Sequence, residues 1–270
     1  MTAAGPTPLL IVGAGGLSRE AAEAARVSGD HHVVGFLDDN PALWGALIGG
    51  AQVLGGMDRV AHYPRARLLL GPGTGRSRAV LRHRLEEMGV TADRYTSVIH
   101  PRAVVPPSCA VGPGSILLAG VVLTADVTVG QHVAVMPNAV LTHDVVIEDY
   151  VTICANTSVA GGVRVRTGSY LGQNCTIRES LTIGAWSLVG MSAAVVDEVG
   201  DSQVWAGVPA RHVRASAGPP PVSADAPHPR ARSRFSLPEP PVRGPLPVFN
   251  PAFNPAFNET GPAGLRARTR

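Results

Sequence analysis

Few side chains in the middle of this 270-residue chain could move a proton. Between Ile99 and Val199 the histidines are His100, His132 and His143, and only His143 is followed directly by an acid, Asp144. A histidine beside a carboxylate suits general-base work: the acid orients the ring, and the imidazole takes a proton from an attacking amine or hydroxyl. Attack on a thioester needs such a base, with donors for the developing oxyanion and a channel for the long acyl carrier. Taken alone, the pair equally suits a solvated histidine on an exposed corner. A second candidate set lies near the N-terminus, where Leu9-Leu-Ile-Val runs into Gly13-Ala-Gly-Gly and Asp38-Asp39 ends a later apolar stretch. A glycine turn opening a helix aims backbone N–H groups at phosphate, although such turns also serve packing alone. All 23 basic residues are arginine, which removes lysine mechanisms such as a Schiff base or a P-loop.

The elements that must carry His143 follow a period of six. From Ile99 to Val195 every sixth residue is aliphatic, 17 positions in succession, and the residue four places after each is uncharged, non-aromatic and mostly small. That period fits neither a helix nor a flat strand. It fits a solenoid in which each hexapeptide gives one short strand and a corner, three hexapeptides make a triangular coil, and coils stack by parallel pairing. Seventeen hexads make between five and six coils. Leu141 belongs to the inward column, so His143, two places on, does not. Glycines directly after the aliphatic, at Gly112, Gly130, Gly172, Gly184 and Gly190, are expected where the backbone turns. Before the repeat, strands at Leu9–Val12, Val33–Leu37 and Arg67–Leu70 alternate with helices at Ser18–Arg26 and Arg78–Met88. That order reads as a small Rossmann-like βαβ unit, with acids at a strand end.

The chain resembles the bacterial sugar O- and N-acyltransferases with hexapeptide repeats, of the sialic acid O-acetyltransferase and UDP-amino-sugar N-acetyltransferase type. The resemblance covers roughly residues 8–214. It rests on Ile11-Val-Gly-Ala-Gly-Gly, Gly35-Phe-Leu-Asp-Asp-Asn, Leu54-Gly-Gly, Val98-Ile-His-Pro, Asn138-Ala-Val-Leu-Thr-His-Asp and Ala206-Gly-Val-Pro-Ala-Arg. It implies a left-handed parallel β-helix and an acetyl-CoA-dependent transfer to an amino or hydroxyl group of a nucleotide-linked sugar, by direct attack without an acyl-enzyme. His143 would be the general base and Asp144 its partner, with no metal. Gly13, Gly15, Gly16, Asp38, Asp39 and Gly71 would hold a nucleotide sugar. Asn138, Gly172, Gln173, Gly190, Met191, Ala206 and Gly207 would meet the acyl donor in a groove between subunits of a homotrimer. Two departures stand out: Leu17 and Thr152 replace histidines frequent in the family, so that an acyl-donor contact would be lost or replaced by the Thr152 hydroxyl. The alternatives are a non-sugar acceptor and a non-catalytic binding or scaffold protein.

These features divide the chain into a nucleotide-sugar-binding unit (1–95), a β-helix (96–214) and a Pro/Arg-rich tail (215–270) expected to be disordered. From Ser216 on there are 7 Arg against 3 acids, and the first 215 residues hold 16 Arg against 17 acids. The folded part is therefore no basic nucleic-acid surface. Four of the five Phe and 13 of the 24 Pro also lie in the tail, so the prism must be filled by Val, Ile, Leu and Ala. Three irregularly spaced cysteines and no apolar run of membrane-spanning length point to a reducing, cytoplasmic setting. Leu9–Gly16 is apolar without a preceding basic stretch, which argues against a signal peptide.

Overall fold

The computed structural model describes residues 5–221. The Pro/Arg-rich tail from residue 222 on lies outside these residues. The first part is a parallel sheet of β1 (Thr7–Val12), β2 (His31–Leu37) and β5 (Arg67–Leu70) in the order β2-β1-β5, with a two-stranded hairpin of β3 (Leu47–Ile48) and β4 (Ala51–Gln52) beside it. Helix α1 (Gly16–Ser28) buries Leu17, Ala21, Ala22, Ala24 and Ala25, and ends on Gly29 at φ 75°. A left-handed residue after the last turn closes a helix most cheaply when it is glycine. Helix α2 spans Gly75–Glu87 rather than starting at Arg78, because the Thr74 hydroxyl caps the N–H of Ser77 and so begins the helix three residues earlier.

The second part is a parallel β-helix of two-residue strands on three faces. The first face carries Val98–Ile99, Ile116–Leu117, Ala134–Val135, Thr152–Ile153, Tyr170–Leu171 and Leu188–Val189, and continues into Gln203–Gly207 and Ala210–Ala215. The second carries Val122–Leu123 through Ala194–Val195 and the third Ala110–Val111 through Thr182–Ile183, five strands each. Each strand pairs with the residue 18 positions on, as Val129 does with Ile147. The second residue of each pair is the aliphatic of the six-residue period. From Leu117 to Val195 these residues are at most 2 % exposed and form one column with the small residues four places on.

Several of those small residues carry a hydroxyl. Ser115, Ser169 and Ser187 donate to the carbonyls of Gly130, Gly184 and Gly200 on the next coil, at 2.8, 2.6 and 2.6 Å. A buried hydroxyl costs little only when it is paired in this way.

The corners correct the expectation about glycine. Positive φ falls three residues after the aliphatic, in an unbroken series that includes Asp126, His132, Asn138, Asp144, Tyr150, Asn156 and Asn174. The glycines directly after the aliphatic serve close approach instead. A Cβ on Gly172 would stand 2.6 Å from the Met191 nitrogen, and one on Gly184 would stand 2.3 Å from the Gly200 carbonyl carbon.

The βαβ unit rests on the first face, where Val98, Ile116, Leu118 and Ala134 join the cluster of Leu9, Ile11 and the α1 alanines. Beside this apolar contact lies Arg78, fully buried. Its guanidinium donates to the carbonyls of His132 (2.7 Å), Pro72 (2.8 Å), Tyr150 (3.0 Å) and Val151 (3.0 Å), and to the Thr152 hydroxyl (3.0 Å). Desolvation lowers its pKa to about 9, which still leaves it charged at neutral pH. The chain past Ala215 does not leave the body at once: Pro220 is buried and Ser216 is bonded to the last coil.

Candidate active site

Three of the six N-terminal candidate residues border a cavity of about 400 Å³. β1 ends in Gly13 at φ +94°, and a side chain there would press on the Pro72 ring at 3.2 Å. The turn is closed by Gly13 N–H to the Leu37 carbonyl (2.6 Å) and Ala14 N–H to Asp38 Oδ2 (2.9 Å). Asp38 Oδ1 accepts from the Asn40 N–H at 2.9 Å. Asp39 accepts from Met57 N–H and pairs with Arg84, both at 2.9 Å. The Met57 N–H first, and then Arg84, hold the Asp39 carboxyl below its ordinary range.

Gly13, Asp38 and Asp39 line the cavity. Gly15 is the N-cap of α1 and offers no side chain to its first-turn N–H groups, and both Gly15 and Gly16 face open space. That bare helix start can accept an anion. Gly71 does different work: a Cβ there would overlap the Ser18 hydroxyl, so this glycine lets α1 lie against the end of β5. Leu17 is 7 % exposed and packs in the α1 core, which explains an aliphatic at that place.

Sequence reasoning missed Arg76, Ser77, Val80 and Leu81, which complete the wall from α2. They lie at or after the true helix start that the Thr74-x-x-Ser77 spacing could have revealed.

His143 and Asp144 occupy a corner between the second and third faces. His143 Nδ1 lies 2.8 Å from Asp144 Oδ2, and the two side chains are 68 % and 66 % exposed. A hydrogen bond from Nδ1–H to the carboxylate leaves Nε2 as the basic nitrogen. The ring lies over Gly161 on the next coil, where a Cβ would come within 2.4 Å of Cε1. Gly161 was not singled out from the sequence; its place 18 residues after His143 is the signal that would have found it.

The third group lies on the corner between the first and second faces. Asn138 has φ 61° and holds its side-chain oxygen over Gly120. Gly172, Gly190, Met191 and Ala206 stack on successive coils: the place of a Gly172 Cβ is 2.6 Å from Met191 N, and that of a Gly190 Cβ is 3.0 Å from Ala206 Cβ. Gln173 is exposed, its carbonyl accepting from Ser192 at 2.7 Å, and Met191 is 74 % exposed. Gly207 has φ +98°.

Thr152 stands elsewhere. It is fully buried in the seam under the βαβ unit, accepts from Arg78 and donates to the Gly73 carbonyl at 2.9 Å. This corrects the expectation that its hydroxyl meets an acyl donor: hydroxyl and surface are already spent. His132 is buried in the same seam between Tyr95 and Tyr150. His100 is half-buried and accepts from the Arg102 N–H at 3.0 Å.

Among the described residues no hydrogen bond or ion pair joins the cavity, the His143 corner and the glycine corner to one another. No group of three or more His, Cys, Asp or Glu among them is placed to hold a metal ion, and no helix among them is long and apolar enough to cross a membrane.

Residues 8–74 match the PglD N-terminal domain family, and residues 126–161 match the bacterial transferase hexapeptide family of six repeats. No curated protein matches the chain. Among solved structures, PerB from Caulobacter crescentus in complex with CoA and GDP-perosamine is 30 % identical, at a TM-score of 0.70 over 76 % of this chain and 97 % of that one. The acetyltransferase domain of PglB from Neisseria gonorrhoeae is 27 % identical, at a TM-score of 0.71 over 77 % of this chain and 100 % of that one. The same domain in complex with acetyl coenzyme A is 25 % identical at a TM-score of 0.70, over the same shares of the two chains. With its glycine-turn unit, its six-residue prism and this similarity over nearly the full length of PerB, the chain belongs to the hexapeptide-repeat sugar O-/N-acyltransferases, enzymes that use acetyl-CoA as co-substrate.

Proposed function

We propose that the protein transfers an acetyl group to an amino group of a nucleotide-linked sugar, with His143 as general base. The observation that carries this reading is the exposed His143 ring, bonded at 2.8 Å to Asp144 through Nδ1. Acetyl-CoA supplies the acyl group as a thioester. The Nε2 of His143 takes the proton that the attacking nitrogen must lose, and Asp144 holds the ring's tautomer and direction. Gly161 lets the ring lie flat on the next coil. The bare start of α1 and the cavity at Gly13, Asp38 and Asp39 would hold the nucleotide. The corner of Asn138, Gly172, Gln173, Gly190, Met191, Ala206 and Gly207 would hold the acyl donor, its missing side chains leaving room for a pantetheine arm. The choice of an amino group is supported by GDP-perosamine N-acetyltransferase from Caulobacter crescentus, a mutant of which, crystallised with CoA and GDP-perosamine, is 29 % identical.

Among the described residues no bond joins the three groups, and assembly as a homotrimer would let neighbouring copies complete each site. The three cysteines are unpaired, in keeping with a reducing, cytoplasmic setting. The test is release of free CoA from acetyl-CoA with a panel of GDP-, UDP-, dTDP- and CMP-linked amino and hydroxy sugars and of unphosphorylated non-sugar amines and alcohols. Release with one or more amino sugars is expected. Release only with hydroxy sugars moves the reading to O-acetylation, release only with unphosphorylated acceptors moves it to a non-sugar substrate, and no release with any acceptor contradicts it.

A further inference from the structure

The segment that follows the prism is tied to the cavity wall. Ser216 fixes one end: its N–H donates to the Ser202 carbonyl (2.8 Å) and its hydroxyl to the Trp186 carbonyl (2.5 Å). The Gly218 N–H then bonds back to the Ser216 hydroxyl at 3.3 Å, with Gly218 at φ +64°. This turn brings three successive carbonyls onto one nitrogen. Arg76 Nη1 donates to the oxygens of Ala217 (3.1 Å), Gly218 (2.7 Å) and Pro219 (2.9 Å).

Among the described residues, Arg76 is the one cation lining the cavity that Asp38 and Asp39 also line. Arg84 is paired with Asp39. A diphosphate could not settle beside two carboxylates without a positive group on the same wall. Among the described residues, the hydrogen bonds of Arg76 all run from Nη1. The neutral carbonyls therefore hold the side chain still while leaving its charge, Nε and Nη2 uncommitted.

We propose that residues 216–219 form a strap that holds Arg76 at the cavity wall, where Nε and Nη2 grip the phosphate oxygens of a nucleoside diphosphate. An arginine fixed in advance loses less rotamer freedom when it binds, and its planar fork suits phosphate. The inference rests on the reading of the cavity as a nucleotide site.

The test is calorimetric titration of UDP, GDP and the parent nucleosides into five proteins: the full chain, chains ending at Pro221 and at Ala215, Arg76→Ala, and the chain ending at Ala215 that also carries Arg76→Ala. The chain ending at Pro221 binds like the full chain. The chain ending at Ala215 and Arg76→Ala each bind the preferred diphosphate about tenfold more weakly, with nucleoside binding unchanged. Combining the two changes gives no further loss. If the shorter chain fails to fold, Gly218→Val in the full chain replaces it, since a branched residue at φ +64° must turn the carbonyls away; the same loss is expected. Unchanged diphosphate binding after loss of the strap overturns the proposal, and so does unchanged binding in Arg76→Ala. If the full chain binds neither diphosphate, the nucleotide reading of the cavity falls as well, a result distinct from the other two.

Discussion

The Thr152 hydroxyl accepts a 3.0 Å hydrogen bond from the fully buried guanidinium of Arg78. Through this bond the prism and the βαβ unit share one buried polar junction. Among the described residues Arg78 has no carboxylate partner; its charge is carried by carbonyl oxygens from both parts of the chain.

Removing the guanidinium leaves those oxygens buried and unpaired. Arg78→Ala is expected to cost about 3 to 5 kcal/mol in stability, read by chemical denaturation. Thr152→Val removes both hydrogen bonds of the hydroxyl, from Arg78 and to the Gly73 carbonyl, at nearly constant volume and should cost about 1 to 3 kcal/mol, with the KM for acetyl-CoA unchanged. A large rise in that KM without loss of stability would return Thr152 to the donor groove.

His132 makes stability depend on pH. Burial, and then Arg82 and Arg78, lower its pKa to about 3, and the ring is enclosed by Tyr95 and Tyr150. In the unfolded chain it protonates near its ordinary value, about 6.5. Below that pH the unfolded state binds the extra proton, so stability is full above 6.5 and falls as the pH drops towards 3. The loss amounts to about 2 kcal/mol over the first two units. Thermal melts of His132→Phe and the parent between pH 7 and 4.5 check this: the variant should lose less Tm on acidification, and parallel curves would contradict it.

The left-handed corners predict a residue-type preference. Asn174 is exposed at φ 57°. Asn174→Gly should be nearly neutral, whereas Asn174→Val should cost about 1 to 2 kcal/mol, again by denaturation.

Gly161 tests whether the His143 ring must lie flat. A Cβ there would come within 2.4 Å of the ring and push it off the corner. Gly161→Ala should lower kcat about tenfold with little change in Tm, and retained kcat would show that the ring's seat is unimportant.

The prism was legible from the sequence because period six dictates which residue enters the column, and Leu141 and Ile153 obey it whatever surrounds them. Outward residues carry no such constraint. Thr152 shares its place in the hexad with Ile116 and Ala134, and only the βαβ unit seated on that face decides that it is buried. Gly71 and Leu17 were misleading for a related reason: each is required by α1 packing, a contact between segments distant in sequence. Arg76 was missed because the helix was started at Arg78, past the Thr74 cap. Its clasp by Ala217–Pro219 joins residues 141 to 143 positions apart, which no local pattern announces. The corner glycines were located correctly and explained wrongly, since stacking of coils, rather than turning of the chain, excludes their side chains.

The central claim is that His143 takes the proton in acetyl transfer. Its most direct test is steady-state kinetics of His143→Ala with acetyl-CoA and the preferred nucleotide amino sugar. The account predicts a fall in kcat of about 10² to 10⁴-fold with both KM values and the melting temperature little changed. A variant that keeps the parent's kcat would contradict it.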